Sequence, residues 1–144
     1  MKVVISNDHG ASELKTKLVK YFKKNNCEVI DLGAEPGVTA SYAEQGHKLA
    51  NYVLEHKPDL AIGMCGTGLG ISYALNRHKN IRAARVTSVE DANLAKLHNN
   101  ANVLVFGGRQ TGVRKAIKMI EEFMKTSYEG GRHQQRIDDI ENVE

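Results

Sequence analysis

Short apolar runs alternate with helical stripes five times along this chain, and that rhythm leaves few folds open. Lys2 to Ser6 reads as a strand, and Leu14, Leu18, Val19 and Phe22 then mark one helix face. Asn25-Asn26 ends that helix, and Cys27 to Leu32 is a second strand stopped by Gly33. After the Glu35-Pro36-Gly37 loop, Leu49, Ala50, Val53 and Leu54 form the next stripe, closed by Lys57-Pro58-Asp59. Leu60 to Met64 is the third strand, followed by a helix from about Leu69 to Asn76. Ile81 to Val86 and Asn102 to Phe106 are the fourth and fifth strands, with a helix over Val89 to Leu97 between them. A last long helix carries Val113, Ala116, Ile117, Ile120, Phe123 and Met124 at near-ideal spacing.

This alternation predicts an α/β, Rossmann-like three-layer sandwich. A five-stranded parallel sheet of order 2-1-3-4-5 carries helices on both faces. At 144 residues the chain is expected to form one domain, 1–144. Ligands of such sheets bind beyond the carboxyl ends of the strands, where strand order reverses. Here that point falls between strands one and three. Asp8-His9 follows the first and Cys65-Gly66-Thr67 the second, so the two richest polar clusters face one crevice.

Composition removes several function classes. Net charge is only +3, from 20 basic and 17 acidic residues, and no basic block is interleaved with aromatics. That argues against a nucleic-acid partner. No apolar run reaches membrane-spanning length, and the first residues enter a strand-like run with no signal-peptide cleavage pattern. A cytoplasmic protein with no membrane partner is expected. Cys27 and Cys65 form neither a CxxC pair nor a zinc spacing, and no carboxylate–histidine spacing recurs, so no metal is expected.

The chemistry concentrates in Cys65-Gly66-Thr67-Gly68-Leu69-Gly70-Ile71-Ser72. A strand cysteine is ordinarily an inert buried thiol. This one stands immediately before a glycine turn and a helix start, where outward N–H groups favour a thiolate. The glycines fit neither a dinucleotide loop, which belongs after the first strand, nor a phosphate loop, which needs a Lys-Ser/Thr pair. They fit a plain strand–helix turn or, with Cys65 and Thr67, an oxyanion nest. Asp8 could cap a helix beside a solvated His9, or the pair could take substrate hydroxyls and an anion. His98, between a helix and a strand, is on its own more simply a surface residue than a site residue, and His47, His56 and His78 are read as surface residues outright. Arg132 and Arg136 share a helix face, either solvated or clamping a phosphate, and Arg109 after the fifth strand could join them.

Taken together these residues resemble the type B ribose-5-phosphate isomerase family, which also includes galactose-6-phosphate isomerase subunits. The matching segments are Asp8-His9, Cys65 to Ser72, Ile81-Arg82-Ala83-Ala84, His98-Asn99, Ala101-Asn102-Val103-Leu104, Gly108-Arg109 and Tyr128-Glu129-Gly130-Gly131-Arg132-His133-Gln134-Gln135-Arg136. The resemblance implies an aldose–ketose isomerase of phosphorylated sugars that uses no metal or other cofactor. Ribose 5-phosphate is the default substrate; allose 6-phosphate, galactose 6-phosphate or a tetrose 4-phosphate are alternatives. By that likeness Cys65 moves the proton, while Thr67 and the backbone of Gly66, Gly68, Leu69, Gly70 and Ser72 hold the enediolate oxygen. His98 opens the sugar ring. Asp8 and Asn99 place hydroxyls, Tyr42 contacts the substrate, and His9, Arg109, Arg132 and Arg136 bind phosphate. Family members are homodimers or tetramers with shared sites, so the tail 128–144 is expected to pack on a partner subunit.

Four places depart from the family pattern. Ser41-Tyr42-Ala43 replaces Asp-Tyr-Pro, Gly10-Ala11-Ser12 replaces Ala-Gly-Phe, Asn100 stands where aspartate is common, and Arg85 is an unusual charge. A non-catalytic sugar-phosphate-binding module, or one subunit of a hetero-oligomeric isomerase, is the competing expectation.

Overall fold

A strand buried along its whole length, β3 (Leu60–Cys65), forms the middle of the molecule. The computed structural model describes residues 1–143; the last residue of the expected partner-packing tail lies outside them. Around β3 lie β1 (Lys2–Asn7), β2 (Glu28–Asp31), β4 (Ala83–Arg85) and β5 (Val103–Gly107), all parallel. The helices are α1 (Ser12–Lys24), α2 (Tyr42–His56), α3 (Leu69–Asn76), α4 (Val89–Leu97), α5 (Val113–Lys125) and α6 (Arg132–Glu141). A single 3-10 turn, His9–Ala11, leads into α1.

The expected three layers are present. Leu14, Leu18 and Phe22 of α1, Ala92 and Ala95 of α4, and Met119, Ile120 and Phe123 of α5 pack on one sheet face with Ile5, Ile62, Met64 and Phe106. Leu49 and Val53 of α2, with Ile71 and Leu75 of α3, pack on the other with Val4, Ala61, Cys65 and Val105. Each strand thus sends alternate residues to opposite faces, and both are covered.

The strand order is 2-1-3-5-4, not the expected 2-1-3-4-5. Crossovers between parallel strands are right-handed, so the face a helix covers fixes the direction its strand moves. The β2-to-β3 helix, α2, and the β3-to-β4 helix, α3, lie on one face and carry the chain outward. The β4-to-β5 helix, α4, lies on the other face with α1, so β5 must turn back between β3 and β4. The reversal between β1 and β3 survives the correction. A second one appears between β3 and β5.

Candidate active site

Because α3 leaves on one face while α1 and α5 leave on the other, the turn after β3 stands alone between the loops that follow β1 and β5. Cys65, at the end of β3, is 3% exposed. Its Sγ accepts the Gly68 N–H at 3.2 Å. Gly68 caps α3 with φ +80, a conformation that disfavours any side chain. Thr67 Oγ1 accepts the Leu69 N–H at 3.2 Å, and Ser72 Oγ donates to the Leu69 carbonyl at 2.7 Å. The N–H groups of Gly70 and Ile71, in the first turn of α3, have no helical acceptor. A thiol and the amide donors of a helix N-terminus therefore lie side by side, the arrangement for holding developing negative charge.

The flanking loops close on this turn. From β5, Gly108 N–H donates to the Cys65 carbonyl at 2.8 Å and Arg109 N–H to the Gly66 carbonyl at 3.0 Å, with the Arg109 guanidinium beside Gly66. From β1, Asp8 is buried, and its Oδ1 accepts the Gly10 N–H at 2.8 Å. His9 is exposed, its Nδ1 3.2 Å from the Ala40 carbonyl oxygen, which leaves the rest of the ring facing out. The Tyr42 ring lies directly over Gly70. Asp8, His9, Tyr42, Cys65, Gly66, Thr67, Gly68, Leu69, Gly70, Ser72 and Arg109 are thus brought together.

His98, Asn99, Arg132 and Arg136 are not among them. His98 ends α4 and precedes β5, so it lies at the amino ends of the strands, while Cys65 pairs with Gly107 at the other end of β5. Five residues of strand separate the two levels, roughly 15 Å. The tail gathers around His98 instead. Glu129 N–H donates to the Leu97 carbonyl, His133 stacks on His98 at 4.3 Å between centroids, and Glu141 pairs with Arg82 at 2.9 Å. In α6, His133 and Ile137 face the body, while Arg132 and Arg136 project outward.

Glu129 and His133 form part of this second cluster, although the sequence draws attention to the neighbouring arginines instead. The available signal was the four-residue step His133, Ile137, the buried face of α6, while Glu129 is exposed and precedes that helix. Glu129 Oε2 lies 3.7 Å from His98 Nε2 and 3.9 Å from His133 Nε2, and the latter nitrogen is buried without a hydrogen-bond partner. Burial pushes His133 below the ordinary imidazole pKa, with His98 and Arg132 adding to the shift and Glu129 opposing it. The three groups are close enough to hold a metal ion. The imidazole planes, however, are within 15° of parallel, so their in-plane lone pairs do not converge on one point.

A family model described as Ribose/Galactose Isomerase matches residues 3–140. The chain belongs to the ribose/galactose isomerase family. Within it, the chain is 36% identical over 143 residues to ribose-5-phosphate isomerase B of Escherichia coli (strain K12), covering 99% of this chain and 96% of that one. It is also similar to the crystal structure of a ribose 5-phosphate isomerase from Thermotoga maritima. There the TM-score is 0.95 and the identity 40%, covering 99% of this chain and 98% of that one. The enzyme of Mycoplasma genitalium, solved with bound ribulose-5-phosphate, gives a TM-score of 0.89 at 37% identity, covering 97% of this chain and 93% of the other.

Two of the departures from the family pattern have local explanations. Ser41 caps α2, its Oγ accepting the N–H groups of Ala43 and Glu44 at 3.2 and 3.3 Å. An aspartate would do the same work. Asn100 has φ +45, a left-handed position that asparagine tolerates well.

Proposed function

We propose that this chain isomerises aldose and ketose phosphates, with ribose 5-phosphate and ribulose 5-phosphate as the pair, and that Cys65 is its base. The observation that carries this reading is the Cys65 thiol seated on the Gly68 N–H at the mouth of β3, in a chain of this family. A Cys65 thiolate takes the proton from C2 of the open-chain aldose. The electrons move onto O1 and leave an enediolate. The same sulfur returns the proton to C1 while a proton passes from O2 to O1, which gives the ketose. Thr67 and the free amides of α3 hold the enediolate oxygen, each donor contributing roughly 3 kcal/mol. Asp8 and Tyr42 place hydroxyls, and His9 and Arg109 bind phosphate. Clamping the phosphate makes the proton shuttle effectively intramolecular.

His98, Asn99, Arg132 and Arg136 reach such a site from a second copy of the chain. We therefore read 1–144 as one domain whose tail, seated on its own body through His133 and Ile137, packs its outer face on a partner in a homodimer or tetramer. The outward arginines of α6 and the exposed Leu69 and Tyr73 beside the thiol turn support this pairing. A reduced cysteine base also suits a cytoplasmic setting.

The test is isomerisation by purified protein, with EDTA present, across aldose and ketose phosphates of four to six carbons. Turnover of ribose 5-phosphate is expected, with a Cys65→Ala loss in kcat of about 10²- to 10⁴-fold and retained binding. Turnover of a different sugar alone would reassign the substrate. Full activity in Cys65→Ala would remove the cysteine from the mechanism.

A further inference from the structure

The turn that carries the thiol is held from outside by Arg85, the last residue of β4. Its Nε donates to the Thr67 carbonyl at 2.8 Å and its Nη2 to Gln110 Oε1 at 3.1 Å. The Thr67 carbonyl and the Gly68 N–H belong to one peptide unit. A trans peptide points its C=O and N–H in opposite directions. Here the C=O meets the guanidinium and the N–H meets Cys65 Sγ. The unit lies pressed on the end of β5. A methyl at Gly107 would sit 2.7 Å from the Thr67 oxygen, and one at Gly68 would sit 3.1 Å from the Phe106 carbonyl carbon.

We propose that Arg85 is a positioning residue for the proton transfer: it clamps and polarises the Thr67–Gly68 peptide, and through it strengthens the N–H donation that Cys65 Sγ accepts. The proposal rests on the reading of Cys65 as the base. Hydrogen bonds to a charged group are about twice as strong as neutral ones, and bonds in series polarise one another. Gln110 fixes the guanidinium plane, which a lysine's point charge would not use in the same way. The other charged or titratable groups around the turn are Asp8 and His9 beyond β1 and Arg109 beyond β5. From α2 comes the Tyr42 phenol. The side chains of α3 packed with Cys65, Ile71 and Leu75, are apolar.

The test is a titration of the thiolate's ultraviolet absorbance in a Cys27→Ser background, with Cys65→Ala as the blank. Arg85→Met is expected to raise the pH of half-ionisation by about one unit. It should also lower kcat/KM for ribose 5-phosphate near neutral pH up to about tenfold, with KM little changed. Arg85→Gln, which keeps a polar donor and removes the charge, is expected to shift the titration in the same direction. A folded Arg85→Met whose titration superimposes on that of its parent overturns the proposal. If that variant does not fold, an unshifted Arg85→Gln does so. The titration needs no turnover, so an inactive protein would refute the isomerase reading and leave this result legible.

Discussion

Burial sets the behaviour of His133 more than its neighbours do. Its imidazole is held below the ordinary value of 6.5, so between that value and the lowered one the unfolded chain binds more protons than the folded one. Stability from this residue is therefore complete above about pH 6.5 and is lost as pH falls through the window beneath. Thermal melts between pH 7 and pH 5 should show a shallower decline in His133→Asn than in the parent protein. Equal slopes would clear His133 of the effect. His78, lowered by burial and by His47, adds a slope of the same sign, so the difference between the two proteins is the quantity to read. At this scale the residues around the thiol were legible, because Cys65 to Ser72 is contiguous and its turn is local. Arg85 was visible only as an unusual charge. Its partners Thr67 and Gln110 are 18 and 25 residues away, and only the sheet brings them together.

Among the elements, α2 shows how a departure from a family pattern can be absorbed. Ser41 caps the helix whose first residue, Tyr42, lies over Gly70. Ser41→Ala should cost about 1 kcal/mol of stability, and Ser41→Asp should restore it. Chemical denaturation of the three proteins checks this. An alanine variant as stable as the parent would show that the cap contributes nothing. The strand order was misread because α4 says little about its face. It buries only Ala92 and Ala95, too short an apolar stripe to show which layer it joins. The three-residue β4, at the sheet edge, gave no further sign that β5 lies inside it.

For the whole molecule, the decisive fact is that the candidate residues occupy both ends of one sheet. Part of this was implicit in the chain order. A loop from a helix into a parallel strand lies at the amino ends, so His98 had to sit opposite Cys65. The packing of the tail onto His98 was not implicit, since it depends on His133 and Ile137 turning inward while Arg132 and Arg136 turn out. Mixing Cys65→Ala chains with Arg132→Ala/Arg136→Ala chains should restore isomerisation, because one of the two sites in a mixed pair is then intact. Subunit exchange without recovery would confine each site to one chain.

A chain with two separated working ends has a genetic consequence. In the proposed pairing, a copy damaged at one end alone would still lend its sound end to a partner. In that pairing, a copy carrying both Cys65→Ala and Arg136→Ala would spoil both sites of any pair it enters. In a cell expressing equal amounts of this doubly damaged copy and the normal one, random pairing would leave about a quarter of the sites working, where a copy damaged at one end alone would leave about half. Placed together on one polypeptide, the two lesions would thus remove sites that either lesion alone would leave working.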